Sequence, residues 1–85
     1  MSIRWDPLKN LLLQRKRGVS FEEILRARFV ATIEHPKRAH QKYLLFEIND
    51  YIWAVPYVKD DEGIFLKTAF PSRVYTKKWV RGELK

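Results

Sequence analysis

Trp5-Asp6-Pro7-Leu8-Lys9-Asn10-Leu11-Leu12-Leu13-Gln14-Arg15-Lys16-Arg17-Gly18-Val19-Ser20-Phe21-Glu22-Glu23-Ile24 reads as two short helices joined by a tight turn. Asp6 is a good N-cap, and Pro7 follows at the first helical position, where its missing N–H costs nothing. Leu8, Leu11 and Leu12 recur at helical spacing with Leu13 at the edge of their stripe, so this face is expected to be the buried one. Arg15-Lys16-Arg17 suits the negative end of the helix dipole, and Gly18 can take the left-handed conformation that stops the helix. Ser20 and Glu23 have capping-box spacing for the next helix, with Val19 and Ile24 placed as its hydrophobic staple. Helices this short are marginal alone and need a larger surface to lie on.

The rest of the chain supplies strands. Ser2 to Trp5 can form a short one, and Phe29 to Ile33 is either a strand or a continuation of the second helix. Glu34 to Gln41 is a polar loop, with Pro36 biasing His35 away from helix. Three strands then follow, Tyr43–Ile48, Tyr51–Val58 and Ile64–Phe70, joined by a two-residue turn at Asn49-Asp50 and a four-residue turn at Asp60–Gly63. These turns place Ile48 opposite Tyr51, Phe46 opposite Trp53, Tyr57 opposite Leu66 and Val55 opposite Thr68. One face then collects Leu44, Phe46, Ile48, Tyr51, Trp53, Val55, Tyr57, Ile64, Leu66 and Phe70 and is the expected core. The other, with Tyr43, Leu45, Glu47, Ile52, Ala54, Val58, Phe65, Lys67 and Ala69, is less bulky. Pro56 cannot donate to a ladder, so a bulge or an unpaired edge is expected there. The prediction is an α+β layer fold, two N-terminal helices packed on an antiparallel sheet of three to four strands with a short C-terminal helical tail, in one domain spanning residues 1–85.

Composition bounds the partners. The 85 residues carry a net charge of +7, which favours anionic partners: nucleic acid, an acidic protein or a membrane surface. No helix pairs a broad apolar face with a basic one, and no apolar run reaches the roughly 18–20 residues of a span, so no membrane partner is expected. There is no cysteine, hence neither a disulfide nor a thiolate metal site. A cytoplasmic location is expected, with no cofactor and no metal.

Two stretches resemble one known family. Trp5-Asp6-Pro7 with Lys9, followed by Lys16-Arg17-Gly18-Val19-Ser20-Phe21-Glu22-Glu23-Ile24, resembles the opening of the BrnT family of bacterial toxins. Phe70-Pro71-Ser72-Arg73-Val74-Tyr75-Thr76-Lys77-Lys78 is similar to that family's motif after its last strand. The family often has His where Arg17 stands. The resemblance implies a RelE-like fold and a metal-independent endoribonuclease, the toxin of a toxin–antitoxin pair. It also implies a cognate antitoxin that is a DNA-binding protein, acidic where it covers the toxin.

Cleaving RNA without a metal needs a base for the 2′-hydroxyl proton, cations for the charged phosphorane and an acid for the leaving oxygen. Arg73 matches the Arg of the family's late motif and offers a planar fork for phosphate; alternatively it is a surface arginine paired with an acid. Lys67 alternates with Phe65 and Ala69 on the less bulky face, where a phosphate could lie, or is a solvated sheet lysine. His35 and His40 are the only imidazoles, and either could be the acid or the base near neutral pH, but two histidines make a poor metal site. Tyr75, close to Arg73, could donate a proton, stack on a base or anchor the C-terminal segment. Lys37, Arg38, Lys77, Lys78 and Arg81 read as charges that bind nucleic acid, or as a solvated basic surface. Arg15, Lys16 and Arg17 can add to that field or meet an acidic antitoxin. Two other readings remain open: a basic module that binds nucleic acid without cleaving it, and a protein-interaction domain.

Overall fold

The computed structural model describes residues 2–34, 37 and 41–84, for Gln41 the backbone alone. The chain runs β1 (Ser2–Trp5), α1 (Pro7–Arg17), α2 (Phe21–Arg26), β2 (Arg28–Glu34), β3 (Gln41–Ile48), β4 (Tyr51–Asp60), β5 (Gly63–Leu66), β6 (Phe70–Pro71) and α3 (Arg73–Val80). The class is α+β, as expected, but the arrangement differs from the expected one. The sheet is mixed and six-stranded, in the order β1-β5-β4-β3-β2 with β6 on β4. The chain opens on a strand that enters this sheet, parallel to β5, and a third helix covers the face opposite α1 and α2.

Local signals set the ends of the helices. The Asp6 carboxylate accepts the Leu8 amide at 3.0 Å, and Gly18 closes α1 at φ 73°. Ser20 and Glu23 exchange both bonds of the capping box, at 2.9 and 3.1 Å. Asn49 and Asp50 both have positive φ, as a tight two-residue hairpin loop requires. That turn sets the β3–β4 register, with Ile48 opposite Tyr51 and Phe46 opposite Trp53. At the other end Gly63 has no substitute: a Cβ there would lie 2.1 Å from the Ser2 carbonyl oxygen, so the glycine is what lets β1 approach β5.

The expected last strand is broken. β4 and β5 pair Tyr57 with Leu66 and Lys59 with Ile64, but β6 pairs Ala54 with Phe70 and Trp53 with Pro71. The two registers differ by one residue, taken up in segment 67–69 opposite Pro56, which has no N–H to offer. A one-residue slip sends side chains to the opposite face. Phe70 therefore leaves the expected core face, Ala69 joins it, and the expected Val55–Thr68 pair does not form.

Two cores result. Leu13, Phe21 and Ile24 of the first two helices pack on Phe46, Val55, Leu66 and Ala69. On the other face Ala31, Leu45, Ile52 and Ala54 are buried beneath Phe70, Tyr75, Trp79 and Leu84. The less bulky face is thus packed, not wet, along β3 and β4. The expected leucine stripe is also corrected: Leu8 is 61% exposed, and Leu11 and Leu12 are exposed too, while Leu13 is 6% exposed. Asn10 sets this rotation. Its carbonyl oxygen accepts the Phe21 amide at 2.8 Å and its amide donates to Glu22 at 2.7 Å, so the Asn10–Leu13 side of α1 faces α2 and the sheet.

Candidate nucleic-acid interface

The candidate cations collect on α3. Ser72 caps this helix, its hydroxyl accepting the Tyr75 amide at 3.1 Å. Tyr75 and Trp79, four residues apart, point inward onto the second core. Arg73 and Lys77 of α3 and Arg81 at its C-cap recur every four residues, which sets them along one side of the helix, and all three are exposed. None of the three meets a partner among the described residues, where Arg4 forms the ion pairs, with Asp60 and Glu62.

Arg73 stands in the first turn of α3, which contains no acid. A cation is disfavoured at the positive end of a helix. Both the helix end and the guanidinium therefore call for an anion, and the chain itself offers none among the described residues.

Tyr75 packs edge-on to Tyr43 with ring centroids 6.0 Å apart, and Tyr43 in turn meets Phe70 at 6.0 Å. Burial, and secondarily Tyr43, raises the Tyr75 phenol above its ordinary range, so the proton stays on at neutral pH. The Lys78 ammonium lies 5.8 Å from the Tyr75 ring centre.

Lys67 lies elsewhere. It is exposed and follows β5 rather than belonging to a strand, with its ammonium 6.0 Å from the Phe65 ring centre. The Lys67 amide bonds the Pro56 carbonyl and the Ser72 amide bonds the Ile52 carbonyl, both at 2.8 Å. Those anchors are four residues apart on β4, about 13 Å at roughly 3.3 Å per residue. The backbones that carry Lys67 and Arg73 are therefore fixed at different points along β4. Lys37 is exposed, and His35, Arg38 and His40 lie outside the described residues.

Two features escaped sequence reasoning. The Phe65 ring carries a second cation, with the Arg4 guanidinium carbon 5.7 Å from its centre; the parallel pairing of Arg4 with Phe65 makes this contact, and no local pattern announces it. Nothing near Thr76 in the sequence announces its role either: its hydroxyl accepts the Ile52 amide at 2.8 Å and so ties α3 to β4. Among the described residues no helix is long and apolar enough to cross a membrane, and no group of three His, Cys, Asp or Glu side chains is placed to hold a metal. No protein-family model, curated protein or solved structure matches the chain.

Proposed function

We propose that the chain binds RNA along α3 and cleaves it by attack of a 2′-hydroxyl on the adjacent phosphorus. The 5′-oxygen of the next nucleotide leaves, giving a 2′,3′-cyclic phosphate and a 5′-hydroxyl end. The observation that carries this reading is the unpartnered stripe of Arg73, Lys77 and Arg81, headed by an arginine at the positive end of a helix. Arg73 stabilises the phosphorane, where charge grows on the non-bridging oxygens. Tyr75 is turned onto the second core, where its ring seats α3, and the acid for the leaving oxygen is drawn from His35 and His40. The base, too, is drawn from His35 and His40, since Lys67 is anchored about 13 Å from the start of α3 along β4, at roughly 3.3 Å per residue. With the resemblance of the two motifs, this makes the chain a cytoplasmic toxin held in check by a cognate antitoxin.

A second reading has its own support. The separation of about 13 Å between the anchors of Lys67 and Arg73, at roughly 3.3 Å per strand residue, suits two cations that grip different phosphates. That arrangement serves binding without cleavage.

Expression from a tightly controlled promoter, with and without the neighbouring gene, tests the choice. Growth arrest and new 5′-hydroxyl RNA ends, both relieved by the neighbour, are the expected result. Salt-sensitive RNA binding with intact RNA favours the second reading, and neither binding nor cleavage leaves a protein-interaction domain.

A further inference from the structure

Lys9, Leu12, Leu13, Lys16 and Arg17 are spaced so that they share one side of α1, and with Thr68 they line a pocket of about 180 Å³. Thr68 belongs to segment 67–69, which the change of register opposite Pro56 lifts out of the ladder. Arg15, one residue from Lys16, is not part of the lining.

The lining fixes the class of ligand. It contains three cations, one hydroxyl and no carboxylate, and none of the three cations is paired with an acid among the described residues. Like charges gathered on one side of a helix repel, and an anion relieves this. The volume lies below the roughly 300 Å³ at which small-molecule pockets begin; it takes a phosphate with part of its sugar, not a whole cofactor. Arg17 brings a fork matched to two phosphate oxygens, and lysine a compact charge. Leu12 and Leu13 give an apolar floor that suits sugar carbons.

The geometry points to this pocket as a phosphate site for a polynucleotide strand, separate from the α3 stripe. It deepens the RNA reading above and rests on it for the strand, though not for the phosphate. Lys67 directly precedes Thr68, but its ammonium lies beside the Phe65 ring, on the face of β5 turned away from Leu66 and α1, so the pocket binds its phosphate without that pair.

The test uses a short RNA carrying 2′-deoxy substitutions, which cannot be cleaved by 2′-hydroxyl attack, and inorganic phosphate as a second probe. Both are expected to move the Thr68 and Lys16 amide resonances. Arg17→Ala should weaken binding of the oligonucleotide by about tenfold or more, the scale of one lost charged hydrogen bond. It should also reduce the slope of log-affinity against log-salt by about 0.7, one phosphate contact. Arg15→Ala removes the same charge outside the pocket and should cost about threefold or less, as an exposed charge does. Equal losses in the two variants, or no shift at Thr68 with either probe, would overturn the site. The same shifts from acetate at equal concentration would overturn phosphate as its class. A Thr68 shift with phosphate but no binding of the oligonucleotide upholds the site and removes the RNA reading.

Discussion

The Thr76 hydroxyl accepts the amide of Ile52 at 2.8 Å and donates to the Ser72 carbonyl at 2.7 Å. Ile52 also uses its own carbonyl, which accepts the Ser72 amide at 2.8 Å. Both backbone groups of this fully buried residue are thus satisfied by the first turns of α3, and Arg73 sits between those two anchors. Thr76→Val keeps the shape and removes the hydroxyl, leaving the Ile52 N–H without its acceptor. The expected loss is about 1–3 kcal/mol, the cost of a buried donor left unpaired. Thr76→Ser should retain most of the stability. Urea unfolding of the three proteins checks this; a Val variant with the wild-type midpoint and slope would mean that α3 is not tied to β4 through this bond.

Two leucines five residues apart on α1 should behave differently. Leu13 is buried among Phe21, Ile24, Phe46 and Val55, so Leu13→Ala should cost about 2–5 kcal/mol. Leu8 is 61% exposed, and Leu8→Ala should stay within about 0.5 kcal/mol. Denaturation midpoints decide between this rotation of the helix and the one that the leucine spacing suggests, for which the order would be reversed.

What could be read from the residues was local. The Asp6 cap, the left-handed Gly18, the Ser20–Glu23 box and the Asn49-Asp50 turn each depend on neighbours within a few positions, and the structure contains all of them. What could not be read depended on distant contacts. The rotation of α1 follows from Asn10 accepting the Phe21 amide, a contact between residues 11 apart. Alternation along Ile64–Phe70 was sound up to Leu66; the lost partner opposite Pro56 then shifted the register and sent Phe70 to the second core. Of the readings open for Tyr75, anchoring the C-terminal segment is the one its packing on that core supports, and Trp79 joins it there one turn on. The positions of Arg73, Lys77 and Arg81 on one stripe follow from their spacing alone. The α1 pocket does not, because Thr68 reaches it only through the register change.

The Arg4–Asp60 pair predicts a pH dependence. Arg4 Nη2 donates to both carboxylate oxygens of Asp60 at 2.6 Å, and this bond, with the Glu62 amide, holds the Asp60 carboxyl below its ordinary range. A carboxyl lowered in the folded state binds its proton less readily there than in the unfolded chain. Its stabilising contribution is therefore complete above the ordinary value of about 3.9 and is lost as pH falls through the lower folded value. Asp60→Asn should remove that contribution at neutral pH and flatten the acid limb of stability against pH. Urea midpoints from neutral pH down to acid, at low and high salt, would show it. Parallel acid limbs for the two proteins would mean that the pair does not couple β1 to β4 in solution.

Arg73 carries the catalytic prediction. An arginine that only holds RNA contributes equally to the ground state and the transition state, and its loss weakens binding and cleavage together. One that faces the phosphorane contributes more as charge accumulates on the non-bridging oxygens. Arg73→Ala should then slow single-turnover cleavage of a defined RNA by about two orders of magnitude or more, the scale of one lost oxyanion donor. Equilibrium binding of the same RNA should weaken much less. Arg73→Lys should recover only part of the rate, since a point charge cannot reproduce the fork. Both variants should keep the fold by circular dichroism, because the exposed Arg73 side chain bonds nothing among the described residues and Ser72 caps the helix without it. Growth arrest on expression should fade in step with the rate. Cleavage at the wild-type rate in the Ala variant would reduce Arg73 to a surface residue. Equal losses in binding and cleavage would make it one phosphate anchor among several on α3, and the reading without cleavage would then account for the stripe.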